Sequence, residues 1–267
     1  MLRQPAVAGH FYRGTAEGLK QQVEQFIIPT ALKRKALGIL SPHAGLMYSG
    51  SVAGALYSNV DLPDRIVLIG PNHTGLGAPV SVMTEGSWET PLGRVPIDAK
   101  LAGSLLSRSP HIHDDALAHL REHSLEVQLP FIQYFKKQFT IVPVQMLDTR
   151  YETCLALGQA VAGAIAESGE PVLIVASSDM SHYEQAAAAR EKDFRAINHI
   201  LNLDPEGLYS SIREYGITMC GYGPAVAMLA ASKKLGAAKA ELVKYANSGD
   251  VSGDYDQVVG YAGIVIS

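Results

Sequence analysis

Cysteine is scarce in this sequence: only Cys154 and Cys220 occur among 267 residues, and they lie far apart. This argues against the dense disulfide framework of small secreted domains. No apolar run approaches the roughly 20 residues that cross a bilayer. The amino-terminal stretch MLRQPAVAGHFYRG also lacks the apolar segment of a signal peptide. We therefore expect a reduced, cytoplasmic protein without a membrane partner.

Positive charge is limited as well. Lys and Arg number 22 against 26 Asp and Glu, which gives a formal net charge of −4, and no basic run is present. Proteins that mainly bind nucleic acid carry basic patches, so we expect no nucleic-acid partner. Hydrophobic residues make up 47% of the chain and charged residues 18%, which allows a large core. Since no repeat or low-complexity linker is found, we predict a single domain over residues 1–267.

Apolar runs typical of β-strands alternate with helical patterns along the chain. Several of these runs are continuous rather than alternating, which is typical of strands buried on both faces. The pattern predicts an α/β fold with a largely parallel or mixed central sheet and helices on both faces. The predicted strands lie at about 36–41, 65–70, 79–84, 139–146, 171–177, 241–246 and 259–266. Residues 119–139 are predicted to hold two helical pieces that are interrupted near Pro130.

Three predicted strands each deliver a histidine just past the carboxyl end. His43 follows in SPHAG, His73 in GPNH, and Asp179 with His182 in SSDMSHY. Ligands bind beyond these ends in parallel sheets, so the matching positions favour one shared cleft over separate strand caps. Asp179 and His182 are three residues apart at a predicted helix start, which would place them on one face. Asp179 could therefore be a helix cap, a ligand, or the residue that orients a catalytic His182.

Two further segments carry polar side chains of interest. His123 and Glu126 are three residues apart in REHSLEVQLPF, a weak metal motif when it occurs once. We therefore favour a substrate or supporting contact for both over direct metal ligation. Asp250 lies in an acidic Gly/Ser loop whose spacing does not fit an EF-hand, so we expect it to face substrate. Cys154, in an Ala/Leu-rich helix, is expected in the core.

Cys220 precedes a predicted helix that opens near Gly223 and Pro224, in ITMCGYGPAV. A thiol at a helix amino terminus is expected to have a lowered pKa and to favour thiolate. The alternative is a small buried core residue, which is the usual environment of a free cysteine.

Several of these segments together resemble the Memo family, whose prokaryotic members are called AmmeMemoRadiSam system protein B. The resemblance runs nearly end to end through RQPAVAGHFY, PHAGLMYSG, GPNH, EHSLEVQLPF, SSDMSHY, CGYGP and SGDVSGDYDQVVGYAGI. It implies a fold similar to class III extradiol dioxygenases of the protocatechuate 4,5-dioxygenase type, which are non-haem Fe(II) enzymes. The family name points to a radical-SAM protein and an AMMECR-type protein as partners of the same pathway.

The resemblance also implies a site. It places His43, His73 and Cys220 as metal ligands, with His182 and Asp179 as the catalytic pair. Tyr222, in the CGYGP motif, joins His123, Glu126 and Asp250 as an expected substrate or supporting contact. A carboxylate from Glu126 or Asp179 competes with Cys220 for the third ligand position.

The expected cofactor is one transition-metal ion, with Fe(II) or copper favoured and zinc as an alternative, because thiolate is softer than carboxylate. The expected function is a metal-dependent redox enzyme acting on an unidentified small molecule or peptide. The alternatives are a non-catalytic peptide- or protein-binding module that uses the same cleft, and a metal-assisted hydrolase.

Overall fold

The computed structural model describes residues 1–29 and 33–267. The strands are β1 Leu2–Arg3, β2 Gly38–Ser41, β3 Arg65–Pro71, β4 Val80–Val82, β5 Ser87–Thr90, β6 Gly93–Pro96, β7 His113–Asp114, β8 Thr140–Met146, β9 Val172–Ser177, β10 His182–Glu184, β11 Ala240–Asn247 and β12 Val258–Ile266. The helices are α1 Ala16–Glu24, α2 Leu46–Ser58, α3 Ala99–Leu106, α4 Leu129–Phe135, α5 Tyr151–Ser168, α6 Ala186–Leu201, α7 Pro205–Glu214, α8 Tyr222–Lys234 and α9 Gly249–Ser252.

The main sheet is mixed. Its strands follow the order β10-β12-β2-β9-β3-β8-β4-β7, and β11 also pairs with β12. The four central strands β2, β9, β3 and β8 are parallel. Strand β12 runs antiparallel to β2, and β4 runs antiparallel to β8. A small second sheet joins β1, β5 and β6.

Helices cover both faces of the main sheet. A Cβ atom added at Gly38 would meet Met228 of α8 at 3.0 Å, and one added at Gly263 would meet Val52 of α2 at 3.3 Å. Gly38 pairs with Ile266, three residues beyond Gly263 along β12. Because successive side chains of a strand point to opposite faces, α8 and α2 lie on opposite sides of the sheet. The predicted α/β fold with a mixed, two-sided sheet is therefore confirmed.

The seven predicted strands all form, as β2, β3, β4, β8, β9, β11 and β12. The strands that the sequence did not predict are short, with two to four residues each, and they give too little pattern for recognition. Within residues 1–29 and 33–267, no helix combines the length and hydropathy that crossing a bilayer requires.

One helix prediction was confirmed in part, because two helical pieces do meet next to Pro130, and another was wrong. Pro130 does not interrupt a longer helix but lies in the first turn of α4, where its missing N–H costs nothing, and a short 3-10 turn at Glu126–Gln128 precedes it. No helix begins at Asp179: this residue lies in a loop, His182 opens strand β10, and α6 starts only at Ala186. The argument that a helix face joins Asp179 to His182 therefore does not hold.

Candidate metal site

Three histidines meet at one edge of the sheet. His43 follows β2 by two residues, and His73 follows β3 by two residues. These strands flank β9 and are parallel to it, so their carboxyl ends open at the same edge. His123, from the segment before the 3-10 turn, lies beside them. Each of the three offers one potential ligand atom, and these atoms all lie within 4.8 Å of one another.

The Nδ1 atom of His43 is engaged by a serine hydroxyl. It lies 2.9 Å from Ser177 Oγ, which itself donates to the carbonyl oxygen of Ser124 at 2.6 Å. The side-chain amide of Gln128 donates to the same Ser177 oxygen. Since the one hydroxyl proton of Ser177 is used on Ser124, His43 Nδ1 must be the donor in this contact. Its Nε2 atom then carries the lone pair that a metal needs.

Glu122 holds the other two histidines. Its Oε1 atom lies 3.0 Å from His73 Nδ1 and 3.3 Å from His123 Nδ1. Its two oxygens also accept the backbone N–H groups of His73, His123 and Ser124. A carboxylate accepts but does not donate, so His73 Nδ1 is protonated and its Nε2 is free. Glu122 was not among the site residues predicted from the sequence, although its position beside His123 was the available signal.

The charges at this clamp follow from burial and hydrogen bonding. Burial alone would raise the pKa of Glu122, but the hydrogen bond from His73 and the charges of His73 and His123 lower it to about 2. Burial, followed by the charges of the neighbouring histidines, holds the pKa of His43 well below its usual range. Burial also lowers the pKa of His123. Glu122 is therefore ionised, whereas His43 and His123 are neutral, the form of imidazole that binds metal.

Asp179 and His182 do not form the predicted pair. Asp179 Oδ1 accepts the backbone N–H groups of His43 at 2.8 Å and Ala44 at 3.3 Å. His182 is held instead by Thr218, whose hydroxyl accepts from the His182 backbone N–H and whose carbonyl oxygen lies 2.9 Å from Nδ1. Thr218 therefore orients this imidazole, and Asp179 supports the loop of His43. Burial raises the pKa of Asp179 to about 6. The catalytic roles of both residues stay predictions.

Cys220 lies next to His43 but outside the three-histidine group. Its Sγ atom is 3.3 Å from His43 Nε2, and its thiol donates to the carbonyl oxygen of Asp179 at 3.7 Å. The expected low thiol pKa was wrong, because burial, and then the charge of Asp179, raises the pKa of Cys220. Helix α8 begins two residues later, at Tyr222, and its amino terminus does not offset this desolvation. Cys220 stays a predicted ligand.

Glu126 takes no part in the cleft. Its side chain is completely buried, and its oxygens bind Arg3, Tyr12 and the N–H groups of Ala6 and Val7. This corrects the expectations of a substrate contact or a third metal ligand. The carboxylate instead fixes the amino-terminal segment of the chain.

Tyr222 and Asp250 have contacts of their own away from the histidines. The Tyr222 hydroxyl lies 2.7 Å from Thr149 Oγ1. Asp250, in the first turn of α9, is exposed and accepts the backbone N–H of Asn247, the last residue of β11. Neither contact reaches the three-histidine group, so their expected substrate roles stay predictions. Cys154 is completely buried, in agreement with its expected place in the core.

The donor set fits a transition metal. Imidazole binds iron, copper and zinc, and the Nδ1 contacts of His43 and His73 leave their Nε2 atoms available. Two ligands of one ion lie about 3–3.6 Å apart when metal–nitrogen and metal–sulfur distances are near 2.1 and 2.3 Å. The 3.3 Å between Cys220 Sγ and His43 Nε2 falls in this range. The site can therefore hold a metal through imidazoles, and Cys220 is placed to join them.

Comparisons with known proteins agree with the resemblance seen in the sequence. A "MEMO1 family protein" of Methanosarcina mazei is 48% identical over 267 residues, covering 99% of each chain. A relative of the same description from Aquifex aeolicus is 45% identical and covers 99% of this chain and 98% of its own. The crystal structure of an uncharacterized Escherichia coli K12 protein has a TM-score of 0.57 at 14% identity, covering 85% of this chain and 98% of its own, and shows the shared fold. The Memo-like protein family matches residues 3–265, and the chain belongs to this family.

Proposed function

We propose that this protein is a metal-dependent redox enzyme with a single ion held at His43, His73 and a third protein ligand. One observation carries this proposal: three imidazoles point potential ligand atoms at one another from the carboxyl edge of the sheet. Buried polar groups support two of these rings from behind, through Nδ1. Such support orients imidazoles for coordination and leaves the Nε2 atoms of His43 and His73 free to bind an ion.

The identity of the third ligand bears on the metal. His123 belongs to the group of three whose ligand atoms lie within 4.8 Å, whereas Cys220 contacts only His43 among them. A thiolate at Cys220 suits copper or zinc as well as iron, of which copper and iron are in line with the redox proposal, and its bound form would require loss of the thiol proton. Both residues can serve together if the ion is four-coordinate.

Access to the site is one-sided. His43 is only 2% exposed, whereas the side chains of His73 and His123 are 36% and 23% exposed. A substrate would therefore approach over His73 and His123, with His43 and Cys220 forming the floor. When bound, the metal would supply an open coordination position and a change of oxidation state to this approach side.

His182 is the side chain we propose for proton transfer. Its Nδ1 atom faces the carbonyl oxygen of Thr218, an acceptor, so this nitrogen carries the proton and Nε2 is the basic atom. It opens β10, which pairs with the amino-terminal end of β12, and because β12 is antiparallel to β2 this end lies towards the carboxyl edge of the sheet. General acid–base catalysis needs such a ring with one nitrogen fixed and the other free.

Metal-assisted hydrolysis is the second candidate, favoured by the donor set itself. The group of three contains imidazoles and no carboxylate, which is the ligand set of some catalytic zinc sites. In that case the metal would serve to lower the pKa of a bound water rather than to change oxidation state.

The test is a metal analysis of untagged protein purified without air and without added metal, followed by assays of oxygen consumption and ester hydrolysis. We expect near-stoichiometric iron or copper and oxygen-dependent turnover. Zinc with hydrolysis alone would favour the second candidate. Absence of bound metal after titration with Fe(II), Cu(I) and Zn(II) would contradict both and leave a non-catalytic binding module.

Ligand variants then assign the site. His73→Ala should lose stoichiometric metal. The matched control is His199→Ala, which changes a histidine of α6 that pairs with Asp204, and this variant should retain the metal. His123→Ala and Cys220→Ser are then compared, and the variant that loses metal affinity identifies the third ligand. His182→Ala should retain metal and lose turnover; loss of metal in this variant would make His182 a ligand instead.

A further inference from the structure

The side chain of Arg3 is completely shielded from solvent. It is 0% exposed, and each part of the guanidinium group has a partner. Nε donates to the carbonyl oxygen of His119 at 2.8 Å, Nη1 to Glu126 Oε2 at 2.5 Å, and Nη2 to the carbonyl oxygen of Glu122 at 2.6 Å. The guanidinium carbon also lies 4.2 Å from the centre of the Trp88 ring.

Stability alone does not explain this arrangement. Removing two charges from water costs several kcal/mol per ion by order of magnitude, and apolar residues of similar volume often replace a buried ion pair without loss. An apolar side chain at position 3 could also pack against the Trp88 ring. What such a side chain could not do is bind two backbone carbonyl groups and a carboxylate at once. The contacts of Arg3 are thus better suited to fixing positions than to adding stability.

The carbonyl that Nη2 binds belongs to Glu122, whose own carboxylate clamps His73 and His123. The path from Arg3 to the imidazoles therefore has one intermediate residue. The carbonyl of Glu122 is fixed by Arg3, and this limits where its side chain can place Oε1. A shift of this backbone would move the acceptor that both histidine rings share.

The amino-terminal segment, residues 1–14, is attached to the same place by further contacts. Glu126 accepts from the N–H groups of Ala6 at 2.7 Å and Val7 at 3.1 Å, and from the Tyr12 hydroxyl at 2.5 Å. The ring of Phe11 lies 4.8 Å from the ring of His123. Arg3 is therefore one end of a buried polar network that joins this segment to the wall of the site.

We propose that Arg3 is a positioning residue for the metal site, acting through the backbone of Glu122 to set the orientation of His73 and His123. The inference rests on the proposed metal function, since it states how the ligands of that same site are aligned. It requires arginine in particular, because the planar fork of a guanidinium group reaches three acceptors in fixed directions. The ammonium of lysine is a flexible point charge and does not hold them in this geometry.

Co(II) binding tests the proposal in the complete chain, because the ligand-field spectrum of this ion reports the geometry of its ligands. In Arg3→Met we expect Co(II) affinity to fall about 10–100-fold, as for loss of other groups that orient metal-bound histidines, together with an altered spectrum. Arg3→Lys keeps a charge for Glu126 but loses the fork, so its affinity should lie between those of Arg3→Met and the wild type. Arg65→Met is the matched control, since Arg65 pairs with Asp98 at the opposite edge of the sheet.

A second measurement does not depend on metal. In protein labelled with ¹⁵N-histidine, the Nδ1–H proton of His73 that bonds to Glu122 should give a separate downfield NMR signal. We expect this signal to shift or disappear in Arg3→Met and Arg3→Lys and to persist in Arg65→Met. If Arg3→Met does not fold, Arg3→Lys decides the matter by both measurements.

The outcomes separate the two proposals. A folded Arg3 variant with the Co(II) affinity, spectrum and His73 signal of the wild type would overturn the positioning role and leave the metal site standing. A wild-type protein that binds no Co(II), Fe(II), Cu(I) or Zn(II) would overturn the proposed function. The His73 signal would then still decide whether Arg3 orients the ring.

Discussion

Two buried carboxylates support the histidines, and their pKa values differ for a physical reason. Glu122 accepts three backbone N–H groups and lies beside two imidazoles, and its pKa is lowered to about 2 although burial opposes this. Asp179 accepts only two backbone N–H groups, both on one oxygen, and burial raises its pKa to about 6. The donors and positive charges that face a buried carboxylate decide how far its pKa departs from the value that burial alone would give.

The same difference separates the two halves of the site. On the Glu122 side, one negative charge binds the rings of His73 and His123 directly. On the Asp179 side, the carboxylate binds the backbone N–H groups of His43 and Ala44, and the ring of His43 is held by the neutral hydroxyl of Ser177. We therefore expect metal binding to depend strongly on the charge of Glu122 and weakly on that of Asp179.

Glu122→Gln should give the largest effect. Its amide NH₂ would face N–H donors that now meet a carboxylate oxygen, so donors are left unsatisfied at a cost of about 2–3 kcal/mol in the free energy of unfolding. Metal affinity should fall about 10–100-fold, since both rings lose their shared acceptor. Metal titration and chemical denaturation measure these quantities.

The control for general destabilisation is Asp193→Asn. Asp193 is equally buried and accepts from the Tyr245 hydroxyl and the Ser181 N–H, away from the three histidines. It should lose stability and retain metal affinity. Equal losses of metal in Asp193→Asn and Glu122→Gln would show that the Glu122 effect is not specific to the clamp.

Asp179→Asn should have a much smaller effect on metal binding. Both N–H groups of the His43 loop bind the same oxygen, and the carbonyl oxygen of Asn can accept both, so affinity should change by less than about threefold. The same metal titration, run beside that of Glu122→Gln, measures the contrast. A loss as large as that of Glu122→Gln would make Asp179 a ligand and erase the proposed difference between the two sides.

Burial also shifts the pKa of a buried base, His119, whose backbone carbonyl oxygen binds Arg3. Burial, and then the charge of Arg3, lowers its pKa to about 3, and within the described residues neither ring nitrogen has a hydrogen-bond partner. Below an ordinary histidine pKa of about 6.5, the unfolded chain takes up a proton that the folded chain refuses. The contribution of neutral His119 to the free energy of unfolding is therefore fully present above pH 6.5. It is lost progressively as the pH drops from 6.5 towards 3.

Replacing His119 removes this part of the acid sensitivity. The free energy of unfolding should drop between pH 7.5 and pH 5 in both proteins. We expect this drop to be about 2 kcal/mol smaller in His119→Leu than in the wild type. Urea denaturation at the two pH values measures the difference. Parallel loss of stability in both proteins would show that His119 takes up its proton in the folded state.

Local patterns were sufficient to predict much of this protein. The strands β2, β3 and β9 were readable because each is a continuous apolar run that ends at a break rich in Gly, Pro, Ser or Asp. Their parallel pairing then placed His43 and His73 at one edge, as the sequence predicted, and the Memo-like motifs supplied the family. These features depend on neighbours in sequence, or on rules that hold for parallel sheets in general.

Other features were decided only by the tertiary structure. Glu122 meets His73 across 49 positions, Asp179 meets the backbone of His43 across 136, and Arg3 meets Glu126 across 123. From neighbouring positions alone, Asp179 was expected to pair with His182 and Glu126 to lie in the cleft. The choice of partner, and with it the pKa of each buried carboxylate, depends on which donors the packed chain brings within hydrogen-bonding distance, and spacing along the sequence does not contain that information.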